Sequence, residues 1–396
     1  MSPLSWAAKG GHTKVVVTLL SHAETDAEKT DPDGLSPLSW AAASGHADIV
    51  GLLLERGGVN PGHMDNEGRT PLFWASHNGH EDVVQLLLHR KEASANGPDY
   101  YGRTPLLIAT ARGKVDIVKL LLRSCTVNPN LPNLSGESAL FCAAKGGCVE
   151  VARLLVEHED VDPALPDHKG TTPLAAAAMD GKEEVVALML ASGRNDVIPN
   201  LSNRHGETPI HLAARYGHRH IVKLLMEAGV NPDKQDSYGH TPLWWAAWWG
   251  WTGVVKILLG HPHVNPNVYD MEGKTALHWS AMGGRAELVR ILLGSDKLRV
   301  DAICQEGRTP LLYAAKFHHP EVIELLLARD DVNPNWRDLE GRTPLSYSAE
   351  LGTEGVVRLL LNRGATKDGT ADKFGKTPFM YAKMRGRGGL IQLLSE

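Results

Sequence analysis

The chain has 396 residues, with 41 lysine and arginine set against 46 aspartate and glutamate for a formal net charge of −5. The signs are mixed with no long basic block, which argues against a nucleic-acid or membrane-surface protein, and no apolar run approaches the roughly 20 residues of a membrane helix. Four cysteines without CxxC spacing (Cys125, Cys142, Cys148, Cys304) exclude a disulfide framework, and with no leader pattern at the start a cytoplasmic or nuclear protein is expected.

The first predicted element is a short helix in "SPLSWAAKGGH", beginning at Ser2. This first unit, over 1–30, starts at its own helix cap. Leu4, Trp6, Val16 and Leu19 keep the pattern of the units that follow, so the chain is expected to be the C-terminal portion of a longer protein. After it, a glycine recurs before each "TPL"-like triplet: Gly34, Gly68, Gly102, Gly136, Gly170, Gly206, Gly239, Gly273, Gly307, Gly341 and Gly375. The gaps are 34 residues except 36 before Gly206 and 33 before Gly239. With the truncated first unit this makes twelve repeats in one array over 1–396.

One unit, Asp65–Arg90, carries the local physics of all of them. Asp65 and Gly68 predict an Asx-type turn at a short hairpin-like tip. Thr70 caps a helix that Pro71 begins and Gly79 ends. "DVVQLLL" is a second helix with apolar residues at helical spacing. The "VNPN" segments (Val127–Asn130, Val264–Asn267, Val332–Asn335) read as extended, because proline forbids helix and restrains its predecessor. The last unit, over 372–396, breaks the pattern with "MRGRGGLIQLLSE" and reads as a C-terminal cap. No single helix pair could bury its apolar face, so stacking must supply the core.

This pattern resembles the ankyrin repeat over essentially the whole chain. "ETPIHLAARYGHRHIVKLLMEAGVNP" (Glu207–Pro232) is similar to the family consensus almost position for position. The resemblance implies an all-α solenoid of about twelve helix-turn-helix units joined by β-hairpin-like loops, and a concave groove that binds partner proteins. The variant "TPLSWAA…VVKLLL…VNPN" looks like the long arrays of filamentous fungi, which often follow a nucleotide-binding NACHT-type module. The alternative function is therefore a sensor segment of such a signalling protein. No G-x-x-x-x-G-K-[ST] loop occurs in this chain.

The segment "LWWAAWWGWTG" (Leu243–Gly253) holds five tryptophans. Trp245 shares its slot with Trp6, Trp40, Trp74, Trp279, Tyr313, Tyr347 and Tyr381, which predicts core packing. Trp244 is expected between adjacent first helices. Trp251 stands where other units have the histidine of "GH" and is expected to steady the turn. Trp248 and Trp249 replace small or polar residues at positions that, by the resemblance, end the first helix and face the groove. Around them the candidate partner-binding residues are Tyr238, His240, Arg215, Tyr216 and Met282, with Lys274 and Glu207 at groove positions too. The tryptophan, tyrosine, arginine and methionine among them are residue types enriched at interface cores. The bland reading is that both tryptophans stack on Arg215, Tyr216 and Met282 and only seal the groove. A second, weaker patch is Tyr100, Tyr101, Arg103 and Arg112.

A search for chemistry finds no catalytic residues. His12, His46, His80, His218 and His319 fill the "GH" slot, and His211 and His278 the "TPLH" slot. His261 with His263, and His318 with His319, lack a third ligand, so no metal site is expected. No hydrolase, zincin, dinucleotide or phosphate-loop signature appears. The expectation is a non-enzymatic protein-binding scaffold with no cofactor, no nucleic acid, no membrane and no small-molecule substrate.

Overall fold

The structure, a computed structural model, describes residues 1–367 and 371–395. Among the described residues it holds 24 α-helices and one 3-10 turn, Lys91–Ala93, with no strand. The helices alternate as pairs, so they make the twelve units expected. They fall into two compact units, Met1–Arg204 and His205–Glu396, each of six helix pairs.

The caps follow from side chains within one turn. The Thr70 hydroxyl accepts the amide of Phe73 at 3.2 Å, Pro71 opens the helix Pro71–Asn78, and Gly79 closes it in the left-handed region at φ 90. The second helix, Glu81–Leu88, has no side-chain cap and carries Glu81 and Asp82 in its first turn instead, where negative charge suits the helix dipole. Within each unit, first helices pack on first helices of the next repeat and second on second. The stacking buries Leu38, Ile49, Leu53, Leu72 and Leu87 in the first unit and Val255, Leu258, Leu277 and Leu292 in the second, all at 0% exposure. Each such side chain contributes about 1.5–3 kcal/mol of burial.

The expected Asx turns are present. Asp65 Oδ1 accepts the amides of Glu67 and Arg69, both at 2.9 Å. Each turn closes on itself in the hairpin-like way expected, Asp65 N–H donating to Arg69 O at 3.0 Å, and each tip also bonds to the tip of the next repeat, as in Tyr100 N–H to Glu67 O at 2.9 Å and Met271 N–H to Tyr238 O at 3.2 Å. This stacking explains the glycine. At Gly239 φ is 80, and a Cβ would lie 3.0 Å from the Met271 amide nitrogen, so conformation and contact both exclude a side chain.

The "VNPN" segments are not extended throughout: their Pro–Asn pairs turn, with Asn265 Oδ1 accepting the Asn267 amide at 3.0 Å, and they carry a clamp that spacing alone did not disclose. Asn267 donates its side-chain amide to Lys297 O at 2.7 Å and accepts the Arg299 amide at 2.7 Å. Asn130 does the same with Asp160 O and the Asp162 amide, and Asn335 with Gly364 O and the Thr366 amide. Asp233 and Asp301 hold this slot in their own repeats. One oxygen accepts the amide of Asn265 or Asn333, while Oδ1 of each is buried with no hydrogen-bond partner. Burial raises both carboxyl pKa values against the lowering effect of the bonded amide. Asp233→Asn and Asp301→Asn each supply the missing donor and are expected to stabilise by roughly 0.5–1.5 kcal/mol at pH 7. Thermal melting checks this, and a lowered midpoint for both variants would contradict the clamp.

Candidate interaction surface

The aromatic slot is core packing, as expected, at Tyr313, Tyr347 and Tyr381, which are buried, and differs from it at the tryptophans. Its tryptophans are half-buried, and their polar edge reaches the turn aspartate nine residues earlier. The Nε1–H groups of Trp40, Trp74, Trp245 and Trp279 donate to Asp31, Asp65, Asp236 and Asp270 at 2.9, 3.1, 3.0 and 2.7 Å. The Tyr347 and Tyr381 hydroxyls do the same to Asp338 and Asp372 at 2.7 and 2.6 Å. The slot therefore ties the first helix to its own turn. Trp6 has no such aspartate and is 62% exposed.

In the second unit this tie supports a larger assembly. Trp244 is 6% exposed and sends its Nε1–H into the next repeat, to Asp270 Oδ2 at 3.0 Å. Asp270 thus accepts two indoles, from Trp244 and Trp279. The Trp244 ring stacks on Trp248 at 5.4 Å and 6°, and on His240 at 3.6 Å and 24°. Tyr238 continues the column beyond His240 at 5.8 Å, and Trp279 meets Trp248 edge-on at 4.7 Å. Offset and edge-on arrangements are the favoured geometries of aromatic pairs. Asp236 anchors the column's base: burial acts to raise its pKa, and bonds from His240 and from the His240 and Tyr238 amides outweigh it and hold the carboxyl below the ordinary range.

The tryptophan pair is therefore divided. Trp248 is half-buried within the column, whereas Trp249, the next residue on the helix Pro242–Trp249, is 52% exposed. Tyr238 and Tyr216 are open at 57% and 46%. Arg215 lies over the rings of Trp245 at 4.4 Å and Tyr216 at 5.7 Å and pairs with Glu207 at 2.8 Å. Met282 is half-buried, and its carbonyl accepts from His319. Two expected groove residues prove buried. Glu207 and Lys274 are each 6% exposed; the Lys274 ammonium sits over Trp279 and Tyr313 and is paired with Glu272. Trp251 takes the expected turn-steadying part, donating to Arg215 O at 2.9 Å as His80 and His319 bond Ala43 O and Met282 O.

In the first unit, Tyr100 and Tyr101 are 67% and 58% exposed. Arg103 lies 5.0 Å from the Tyr101 ring and pairs with Asp99, and Arg112 is exposed at the end of the helix Pro105–Ala111. Sequence reasoning passed over Trp244 and Trp279 as site residues. The signal that could have found them is Asp270, which has an aromatic residue nine positions on and an indole in the preceding repeat.

The chemistry is that of packing. Burial pushes the Cys142 thiol up to about 12, so it carries no thiolate at neutral pH. Among the described residues no group of three or more His, Cys, Asp or Glu side chains is placed to hold a metal ion, and no helix is long and apolar enough to cross a membrane.

A profile of ankyrin repeats, three copies long, matches residues 1–63, 57–133, 125–200, 194–270, 251–338 and 330–396. A search of curated proteins finds no match. Ankyrin repeats are in general non-catalytic modules for protein–protein interaction. With the profile spanning the sequence and the capped helix pairs, stacked turns and apolar seams recurring in its register, the chain belongs to the ankyrin-repeat family.

Proposed function

We propose that this protein is a non-catalytic scaffold that binds a partner protein on the concave groove of its repeats, with Trp249 as the anchor. The observation that carries this reading is the 52% exposure of Trp249 on a helix whose other aromatic side chains are packed. A large aromatic side chain left open costs solubility unless something covers it, and tryptophan, tyrosine and arginine dominate the binding energy of interfaces. Tyr238, Tyr216 and Arg215 stand around it. Trp248 and His240 hold the surface from behind, Met282 borders it, and Tyr100, Tyr101 and Arg112 form a second patch.

Trp249→Ala is expected to change stability by no more than about 0.5 kcal/mol and to weaken the partner by at least 2 kcal/mol, roughly thirtyfold. The measurement is capture of proteins from an extract of the source cells on immobilised wild type and variant. Each protein whose retention differs is then purified and titrated against both. If every captured protein binds Trp249→Ala and Tyr238→Ala as well as wild type, the groove assignment is wrong.

A further inference from the structure

A second site lies in the same unit, where side chains of three consecutive repeats close on one open pocket of about 460 Å³ lined by Lys316, Arg342, Tyr347, Glu350, Leu351, Arg385 and Arg387. Four of these carry positive charge and one negative, an excess of three. The pocket sits at the C-terminal ends of the helices Pro310–Lys316, Pro344–Leu351 and Pro378–Met384. Each end contributes about half a negative charge, together roughly −1.5, so the site stays positive.

The cations are not used up internally. Glu350 is shared between Arg342 at 2.5 Å and Arg385 at 2.9 Å. Arg342 is wedged over the rings of Tyr347 at 3.8 Å and Tyr381 at 4.5 Å, with its Nε buried and lacking any hydrogen-bond partner. Arg387 reaches only the Leu351 carbonyl, at 3.4 Å. Among the described residues no carboxylate lies within ion-pair distance of Lys316, whose ammonium stands 5.7 Å from the centre of the Phe317 ring. Burial first, then the positive Arg308 and Arg342, hold its pKa below the ordinary lysine range against the pull of Glu340 and Asp338. An anion arriving between Lys316 and Arg342 relieves that repulsion.

We propose that this pocket binds an acidic peptide segment, with a carboxylate side chain between Lys316 and the arginines and an apolar neighbour on its rim. Leu351 lines it at 41% exposure, and Phe317 and Met384, next in sequence to Lys316 and Arg385, are 46% and 63% exposed. The two tyrosine faces nearest the cations are covered by Arg342, which leaves Phe317, itself stacked on Tyr313, as a lone ring rather than the succession of aromatic faces that single-stranded nucleic acid uses. Charge complementarity with an apolar flank therefore selects a glutamate- or aspartate-rich peptide. The site goes beyond the surface around Trp249 and shares none of its residues.

The test is fluorescence anisotropy on the full chain with a short labelled peptide of glutamate and leucine, its glutamine counterpart, and a single-stranded oligonucleotide. The glutamate peptide is expected to bind saturably, more weakly as salt rises, and at least tenfold better than the glutamine peptide. Lys316→Gln should weaken it roughly tenfold and Lys316→Arg restore most of the loss, while Trp249→Ala leaves it unchanged and so separates this site from the groove. Should Lys316→Gln melt early, Arg385→Gln, at an exposed position, decides instead. Equal binding of glutamate and glutamine peptides, or no effect of either substitution, overturns the proposal. So does an oligonucleotide that binds more tightly than the peptide and is weakened by the same changes.

Discussion

Trp244→Ala is expected to destabilise the second unit by roughly 3–5 kcal/mol, the cost of truncating a large core aromatic. The reason is the number of neighbours that share this one ring. His240 and Trp248 stack on its two faces, Trp279 meets its edge at 5.6 Å, and Asp270 loses one of its two indole donors. Trp244→Phe keeps the ring and removes the N–H, and should cost only about 1–2 kcal/mol, since the lost bond is to a charged acceptor. Denaturant titration, with hydrogen exchange to localise the loss, separates the two. The protection lost should lie in the repeats from Glu207 to Leu293, because each repeat contacts only its neighbours. A loss below about 1 kcal/mol for Trp244→Ala would mean that the column is surface decoration, and the support assigned to Trp249 would fall with it.

Stability is also expected to fall as the pH drops below about 6.5, through His278 and His211. The amide of Thr275 can only donate, so His278 Nδ1 accepts from it at 3.1 Å and the ring proton sits on Nε2, facing Arg308 O at 3.1 Å. Protonating Nδ1 would set two donors against each other inside the protein. Burial accordingly pushes the His278 pKa down to about 4, against backbone hydrogen bonds that raise it. His211 is lowered for the same first reason, in the same pose against Thr208 and His240 O. Between 6.5 and about 4 the unfolded chain takes up a proton that the folded chain refuses, so the stability present above 6.5 is lost as pH falls through that window. For His278 the gap of about 2.5 pH units at 1.36 kcal/mol each amounts to roughly 3 kcal/mol. Denaturant titrations at several pH values, compared between wild type and His278→Gln, isolate this share from that of the carboxylates. Identical slopes in the two proteins would remove His278 as the cause.

What sequence by itself determined here is whatever closes within about ten residues. The cap at Thr70, the proline start at Pro71, the left-handed stop at Gly79 and the Asx turn at Asp65 each depend on backbone groups within one or two turns of chain. Recurrence of those signals at a period near 34 is enough to identify the repeat and its stacking. What no local rule supplied is the ladder between tips: the amide at Tyr100 finds its carbonyl 33 residues back, at Glu67, in addition to the near bond from Asp99 N–H to Arg103 O that closes the turn. The tryptophans show the same limit more sharply. Trp244, Trp248 and Trp249 lie on one helix with similar propensities, and comparison across repeats set Trp244 apart but could not divide Trp248 from Trp249. Only the tertiary structure did, because Trp244 and, from the next repeat, Trp279 take up the Trp248 ring, while among the described residues no aromatic ring reaches Trp249. Likewise the sequence pattern placed Lys274 at a groove position and offered no sign that Lys316 belongs to a site. Stacking buries the first between two rings with a carboxylate beside it and brings the second to three arginines that stand 26 to 71 residues further along the chain, since whether a charge is matched depends on the faces that neighbouring repeats present to it.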